Sequence, residues 1–270
     1  MSVMEWVVTT DRVKNLNVFS ERQARDGSFY FLDKFLLWCQ RERSNPLFVC
    51  NGGMWNEEYP DNLQPIGWEP FPTSPKAQGL VVSNGRIENP LDTQHDGSWG
   101  RLKGKHVNFW HQPNGVFYVT KQEAPAIKTT QEAEEHIPNM RCATQSGPML
   151  VINGSIHPEF TSGSHPLMRR IGVGVRNGEV VFLVSEDRIN FYNFAEEFLK
   201  RGCENALYFD GGGVIWHADN KTHFGGSNDR RRSRRTGEKV GVGAAVFIAE
   251  FPPNSPLGKR RKRIKRLKLN

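Results

Sequence analysis

"IGVGVRNGEVVFLV", residues 171–184, sets Asn177-Gly178 between two apolar runs. Both residues tolerate positive φ, so the pair closes a two-residue turn whose twist suits antiparallel strands. Asn-Gly recurs at 84–85, 114–115 and 153–154, flanked by "GLVV/RI", "NFW/VFYV" and "PMLVI/SI". The pattern predicts hairpins at all four positions and mostly antiparallel sheet over residues 78–184.

Two helical patterns stand against these strands. Phe191, Phe194, Ala195, Phe198 and Leu199 share one helical face, with Asn190 placed to cap the start and Gly202 to end the helix. Phe31, Leu32, Phe35, Leu36 and Cys39 form a second face between Ser28 and about Arg43. Each helix leads into a short apolar run, "LFVC" at 47–50 and "ALYF" at 206–209. Each run ends in a polar residue and glycines, Asn51-Gly52-Gly53 and Asp210-Gly211-Gly212-Gly213. This parallel predicts two strands delivering glycine loops to the same edge of one sheet. The expected fold class is α+β: a mixed, largely antiparallel sheet with hairpins, a few flanking helices, and glycine loops at strand ends.

With 270 residues the chain can bury a sizeable core. Its 26 glycines and 16 prolines suit a loop-rich fold rather than a helical bundle. No apolar run approaches the roughly 20 residues that span a bilayer, and "MSVMEWVVTTDRVKN" lacks the pattern of a secretory signal. Cys39, Cys50, Cys142 and Cys203 form no CxxC pair, which predicts reduced thiols and a cytoplasmic protein. The net charge of +7 is local. "KRRKRIKRLK" at 259–268 carries eight basic side chains, and outside it 28 basic residues face 29 acidic ones. "RRRSRR" at 230–235 is a second basic block. The prolines of "EFPPNSPLGK", from Glu250, predict a boundary between a body over 1–250 and a linker with a basic disordered tail over 251–270. Non-specific nucleic-acid contact through 259–268 is the expected property of that tail.

Chemistry is concentrated at the predicted strand ends. Successive glycines let peptide N–H groups converge on an anion, and Asp210 aims a carboxylate at the same place. Gln145, Ser146 and Gly147 precede another strand. The G-x-S-x-G elbow of serine hydrolases is absent, so Gln145 and Ser146 are read as hydrogen-bonding a polar ligand or satisfying backbone groups. Arg169 and Arg170 precede the Gly-Val strand. By the period of two, one of them points inward and needs an anionic partner, a phosphate or a structural carboxylate. His106, His111, His157, His165, His217 and His223 lack tight ligand spacing, and neither a metal nor any other cofactor is expected.

"NGGMW", "NFWHQPNGVFYV", "ATQSGPMLVINGSIHP", "RIGVGVRNGEVVFLVSED" and "FAEEFLKRGCENALYFDGGG" stand in the order seen in the phosphodiester glycosidase family. Over residues 46–248 the chain resembles that family, bacterial members above all. The resemblance implies cleavage of the bond between an anomeric carbon and a phosphate oxygen. It marks Asp210 and Arg170 as catalytic. It marks Asn51, Gly53, Gln145, Ser146, Gly147, Asn205, Gly211 and Gly212 as substrate-binding. The chain departs from the family pattern where Val214 and Ile215 follow the glycines in place of hydroxyl residues. The basic tail has no counterpart.

The implied chemistry suits these residues. A phosphate monoester leaves with a second pKa of about 6, against about 15.7 for water, so a general acid is largely dispensable. One carboxylate and a cationic phosphate clamp suffice. The implied substrate is a phosphorylated sugar or glycosylated nucleotide. The alternative is a nucleic-acid-binding or phosphosugar-binding protein on the same fold without catalysis.

Overall fold

The computed structural model describes residues 2–20, 23, 32–58, 74–93, 108–209, 213–218, 221–226 and 244–258. Strands β1 (Val3–Val8) and β2 (Leu16–Ser20) precede helix α1 (Leu32–Arg41), then β3 (Phe48–Asn51), β4 (Trp55–Glu58) and β5 (Ser74–Ala77). Next come β6 (Val81–Ser83), β7 (Arg86–Asn89), β8 (Gly115–Thr120) and β9 (Pro125–Thr129). A short helix α2 (Thr130–Ala133) leads to β10 (Met140–Ser146), β11 (Met149–Ile152) and β12 (Ser155–Ile156). After β13 (Ile171–Arg176) and β14 (Glu179–Ser185) stands helix α3 (Phe191–Lys200). It is followed by β15 (Asn205–Tyr208), β16 (Gly213–Ala218), β17 (Lys221–Gly226) and β18 (Val246–Glu250).

These strands form three larger sheets, ordered β1-β14-β13-β15-β11-β12, β7-β6-β10-β8-β9 and β17-β16-β3-β18-β2, with β4-β5 as a separate pair. The fold is α+β and mostly sheet. Among the described residues every strand pairing is antiparallel, so the mixed component of the sequence reading is not found there.

The inner faces of the three sheets share one core. Phe182 of the first sheet packs on Phe48 of the third at 4.8 Å and on Phe117 of the second at 6.3 Å between ring centroids. On β14, Val180, Phe182 and Val184 face this core while Val181 and Leu183 face α3. Both faces are buried, which explains the unbroken apolar run in the sequence. Phe194, Ala195 and Phe198 bring α3 against the first sheet. Gly172 and Gly174 make room for it: a Cβ on Gly174 would stand 2.7 Å from Phe198. Leu32, Phe35 and Cys39 seat α1 on the outer face of the third sheet.

Three of the four Asn-Gly pairs form the expected hairpins, with both residues at positive φ at 84–85, 153–154 and 177–178. The pair at 114–115 does not. Asn114 is fully buried, its amide donating to the Phe109 carbonyl at 3.0 Å and its side-chain oxygen accepting from Thr130 Oγ1 at 2.7 Å. The asparagine braces a loop instead of turning one. Helix α3 starts where expected, with the Asn190 side chain accepting from the Asn193 N–H at 2.8 Å, and ends beside Gly202 at φ 76°. The expected first turn of α1, at 28–31, lies outside the described residues.

Two other expectations are corrected. The runs before the glycine loops, β3 and β15, belong to different sheets. The two strands therefore do not end along one edge of a single sheet; β16, the next described strand after β15, pairs with β3 in the third sheet. The folded body also continues past Glu250. Phe251 is fully buried against Phe19 at 5.8 Å, and Leu257, 2% exposed, donates its N–H to Ser44 Oγ at 3.0 Å.

Candidate active site

Among the described residues, the Asn51–Gly53 and Gln145–Gly147 motifs come together where the sheets meet. At the end of β3, Asn51 is buried, the Gly52 N–H donates to the Val246 carbonyl at 2.8 Å, and the Gly53 N–H donates to Thr144 Oγ1 at 3.1 Å. A side chain at Gly53 would collide with the Gln145 carbonyl, so only glycine brings the β3 loop this close to β10. Thr144 and Ser146 lie on the same face of β10. Ser146 is fully buried, and its hydroxyl has no hydrogen-bond partner. Gly147 fits against Asn114 and the Phe109 carbonyl where a Cβ would stand 2.7 and 2.8 Å away. The Pro148 carbonyl then accepts from the Tyr208 N–H at 3.1 Å, tying the 145–148 turn to β15.

Arg170 stands beside this junction. The period of two holds: Arg169 is exposed and Arg170 is 1% exposed. Its Nε donates to the Ile189 carbonyl at 2.8 Å and its Nη2 to the Pro166 carbonyl at 3.0 Å. The guanidinium carbon lies 3.7 Å from the ring centroid of Phe191 and 5.4 Å from that of Tyr208. Among the described residues, Nη1 is buried without a hydrogen-bond partner and no ion pair to a carboxylate reaches this guanidinium. Burial pulls its pKa below the usual arginine range, and the nearby Tyr208 hydroxyl opposes that shift. A buried charge in this state calls for an anion.

The ladder between β13 and β15 places the strand that follows Arg170 beside the strand that precedes the glycine motif in the sequence. Gly172 pairs with Tyr208, and the Phe209 N–H donates to the Ile171 carbonyl at 3.0 Å. Phe209 is the last described residue before the loop. Asp210, Gly211 and Gly212 lie outside the described residues, as do the 230–235 arginines and the 259–268 tail.

Two marked residues do other work. Gln145 is fully buried with its amide spent on the protein: Oε1 accepts from the N–H groups of Leu80 and Asp92 at 2.9 and 3.0 Å. Its Nε2 donates to the Asp92 carbonyl and Thr130 Oγ1 at 2.7 and 3.1 Å. All four of its hydrogen-bonding positions are used, so its side chain shapes the turn and offers nothing to a ligand. Asn205 sits at the opposite end of β15 from Phe209, opposite Val175, and its Oδ1 accepts from the Asn153 N–H of a hairpin turn at 3.1 Å.

Sequence reading missed the aromatic wall. Phe160 stacks on Phe191 at 5.0 Å, and His157 stacks on Phe160 at 4.5 Å. His157 Nδ1 accepts from the Glu159 N–H at 3.2 Å and its Nε2 meets the Gln112 carbonyl at 2.7 Å, which assigns the neutral Nε2–H tautomer. His157 and Phe160 are close in sequence, but Phe191 stands in helix α3, so no local pattern joins the three rings. Among the described residues no three of His, Cys, Asp and Glu gather as a metal site, and no helix is long and apolar enough to cross a membrane.

A glycine-built junction, a buried guanidinium with no ion pair among the described residues and a buried hydroxyl without a partner there are groups suited to a polar, anionic ligand. A family profile described as phosphodiester glycosidase matches residues 48–237, and the chain belongs to that family. It is 33% identical over 168 residues to uncharacterized protein YigE of Escherichia coli K12, covering 60% of this chain and 54% of that one. The chain thus spans about half the length of that curated relative. Among solved structures, the catalytic domain of zebrafish N-acetylglucosamine-1-phosphodiester alpha-N-acetylglucosaminidase, auto-inhibited by its pro-peptide, has a similar fold. Its TM-score is 0.59 at 9% identity, covering 93% of this chain and 83% of that one. A putative exported protein of Burkholderia pseudomallei has a TM-score of 0.52 at 12% identity, covering 93% and 74%.

Proposed function

We propose that the protein hydrolyses the bond between the anomeric carbon of a sugar and the phosphate of a phosphodiester, in a sugar-1-phosphate diester or a glycosylated nucleotide. The observation that carries this reading is Arg170: a buried guanidinium with Nη1 unpartnered and only neutral groups around it among the described residues. Membership of the phosphodiester glycosidase family supports it, as does the fold shared with the zebrafish glycosidase.

In this mechanism Arg170 binds the phosphate through Nη1, and the N–H groups of Gly211 and Gly212 add donors. The departing group is a phosphate monoester, weakly basic enough to leave without prior protonation. Asp210 follows Phe209 directly in the chain. It supplies the carboxylate that activates water or traps the oxocarbenium-like centre. Ser146 Oγ, buried and unpaired, hydrogen-bonds the substrate. The four cysteines are free and buried.

The test is a product assay over a panel of sugar-1-phosphate diesters and nucleotide sugars, with wild type, Asp210→Asn and Arg170→Ala. The proposal expects free sugar and a phosphate monoester from wild type only. Equal turnover by all three proteins removes both residues from the mechanism. Binding without turnover by wild type leaves a phosphosugar-binding protein.

A further inference from the structure

Strands β4 and β5 pair with Trp55 opposite Ala77. The ladder continues one step, the Gln78 N–H donating to the Met54 carbonyl at 2.8 Å. Ala77 and Trp55 face the central core between the sheets. Strand alternation turns their neighbours to the other side, and Met54 lies there in a second cluster with Phe109, Ile189 and Tyr208. Gln78 shares that face with Met54. Two members of that cluster also touch Arg170: the Ile189 carbonyl accepts from its Nε, and its guanidinium carbon stands 5.4 Å from the Tyr208 ring.

Gln78 is 5% exposed, and its side-chain nitrogen has no hydrogen-bond partner among the described residues. The residue after it, Gly79, approaches Gln145 and Phe109 so closely that a Cβ would strike both side chains, which fixes Gln78 beside the 145–148 turn. Native proteins rarely leave a buried amide donor without an acceptor. Three orphaned polar atoms, on Gln78, Ser146 and Arg170, thus belong to segments that contact one another through Gly79 and Gln145, Pro148 and Tyr208, and Tyr208 and Arg170. One is cationic and two are neutral. A phosphodiester-linked sugar has that same division, a charged phosphate next to a ring of neutral hydroxyls.

We propose that Gln78 is a specificity-determining residue that contacts the sugar, its amide N–H donating to a ring hydroxyl oxygen while Arg170 holds the phosphate. This rests on the function proposed above. The experiment titrates two probes, inorganic phosphate and the methyl phosphodiester of N-acetylglucosamine 1-phosphate, into the full chain as wild type, Gln78→Met and Arg170→Ala. Gln78→Met keeps the shape and removes the donor. It is expected to weaken the diester about three- to tenfold and leave phosphate binding unchanged. Its Tm should not fall, because an apolar isostere replaces an unpaired amide. In wild type, one member of a deoxy-sugar series of the diester loses the same factor, and Gln78→Met removes that difference. Arg170→Ala weakens both probes.

The assignment is overturned if Gln78→Met binds the diester as wild type does, loses both probes equally, or melts lower through loss of a structural contact. It is also overturned if wild type binds the diester no better than phosphate, or if no deoxy sugar is discriminated. Wild type that binds neither probe defeats the phosphodiester reading itself, and this assignment with it.

Discussion

Arg141 and Arg170 are both buried arginines at the sheets, 6% and 1% exposed, and they are built in opposite ways. Arg141 is spent. Its Nε meets Glu123 at 3.1 Å, Nη1 the Leu16 carbonyl at 2.8 Å and Nη2 the Val13 carbonyl at 3.0 Å, so it bolts the β2 region to β10. Arg170 is aimed but unfinished: two neutral carbonyls orient it, a ring supports it, and one nitrogen is left over. Depth therefore says little about role. The count of satisfied donors separates the brace from the binding group.

Substitution at both positions breaks the comparison most directly. Arg170→Ala and Asp210→Asn are each expected to lower kcat about a hundredfold or more, the range for losing one charge-stabilising or proton-transferring group. Equal loss of the folded fraction in denaturant would instead make Arg170 a brace. Arg141→Met should show the reverse, a stability loss of roughly 3 kcal/mol from stranded carbonyls and a broken ion pair, with kcat of the folded enzyme intact.

Phe191 sharpens the contrast at smaller scale. Its ring carries the guanidinium at 3.7 Å, so Phe191→Leu should weaken inorganic phosphate about five- to thirtyfold while Phe191→Tyr retains it. Unchanged phosphate affinity in Phe191→Leu would leave the ring as packing alone.

The smallest effect concerns His157 in the same wall. Burial lowers its pKa, His111 adds to that, and the Gln112 carbonyl opposes it. The folded state then binds the proton less readily than the unfolded chain. The resulting stability is fully present above the ordinary histidine pKa of about 6.5 and is lost as pH falls through the depressed folded value. Denaturation midpoints measured downward from pH 7 should drop less in His157→Gln, whose amide can keep a donor and an acceptor in place. Parallel curves would remove His157 as a source of acid sensitivity.

Much of the fold was legible because the signals were local. Asn-Gly turns at 84–85, 153–154 and 177–178 and the Asn190 cap depend only on their own backbone conformations. Asn114-Gly115 failed because tertiary partners claimed the Asn114 amide, which sequence periodicity cannot reveal. The same limit governs the site. Strand alternation required one of Arg169 and Arg170 to point inward and the family resemblance marked Arg170, but Gln145 and Asn205 carry the same polar chemistry as a ligand-binding group and spend it on their own chain. Gln78 sits in "KAQGLVV", where nothing marks it. It becomes visible only when its unmatched donor is seen together with two others.

The seating of Phe251 and Leu257 over α1 decides how the basic extension can be studied. Cutting the chain at Glu250, where the prolines invite it, would pull two anchors out of a hydrophobic cluster. Any loss of DNA retention would then be confounded with unfolding. A stop codon after Gly258 removes the charged residues and spares the anchors. That shorter protein can show whether polyanion affinity belongs to the extension or to the folded body.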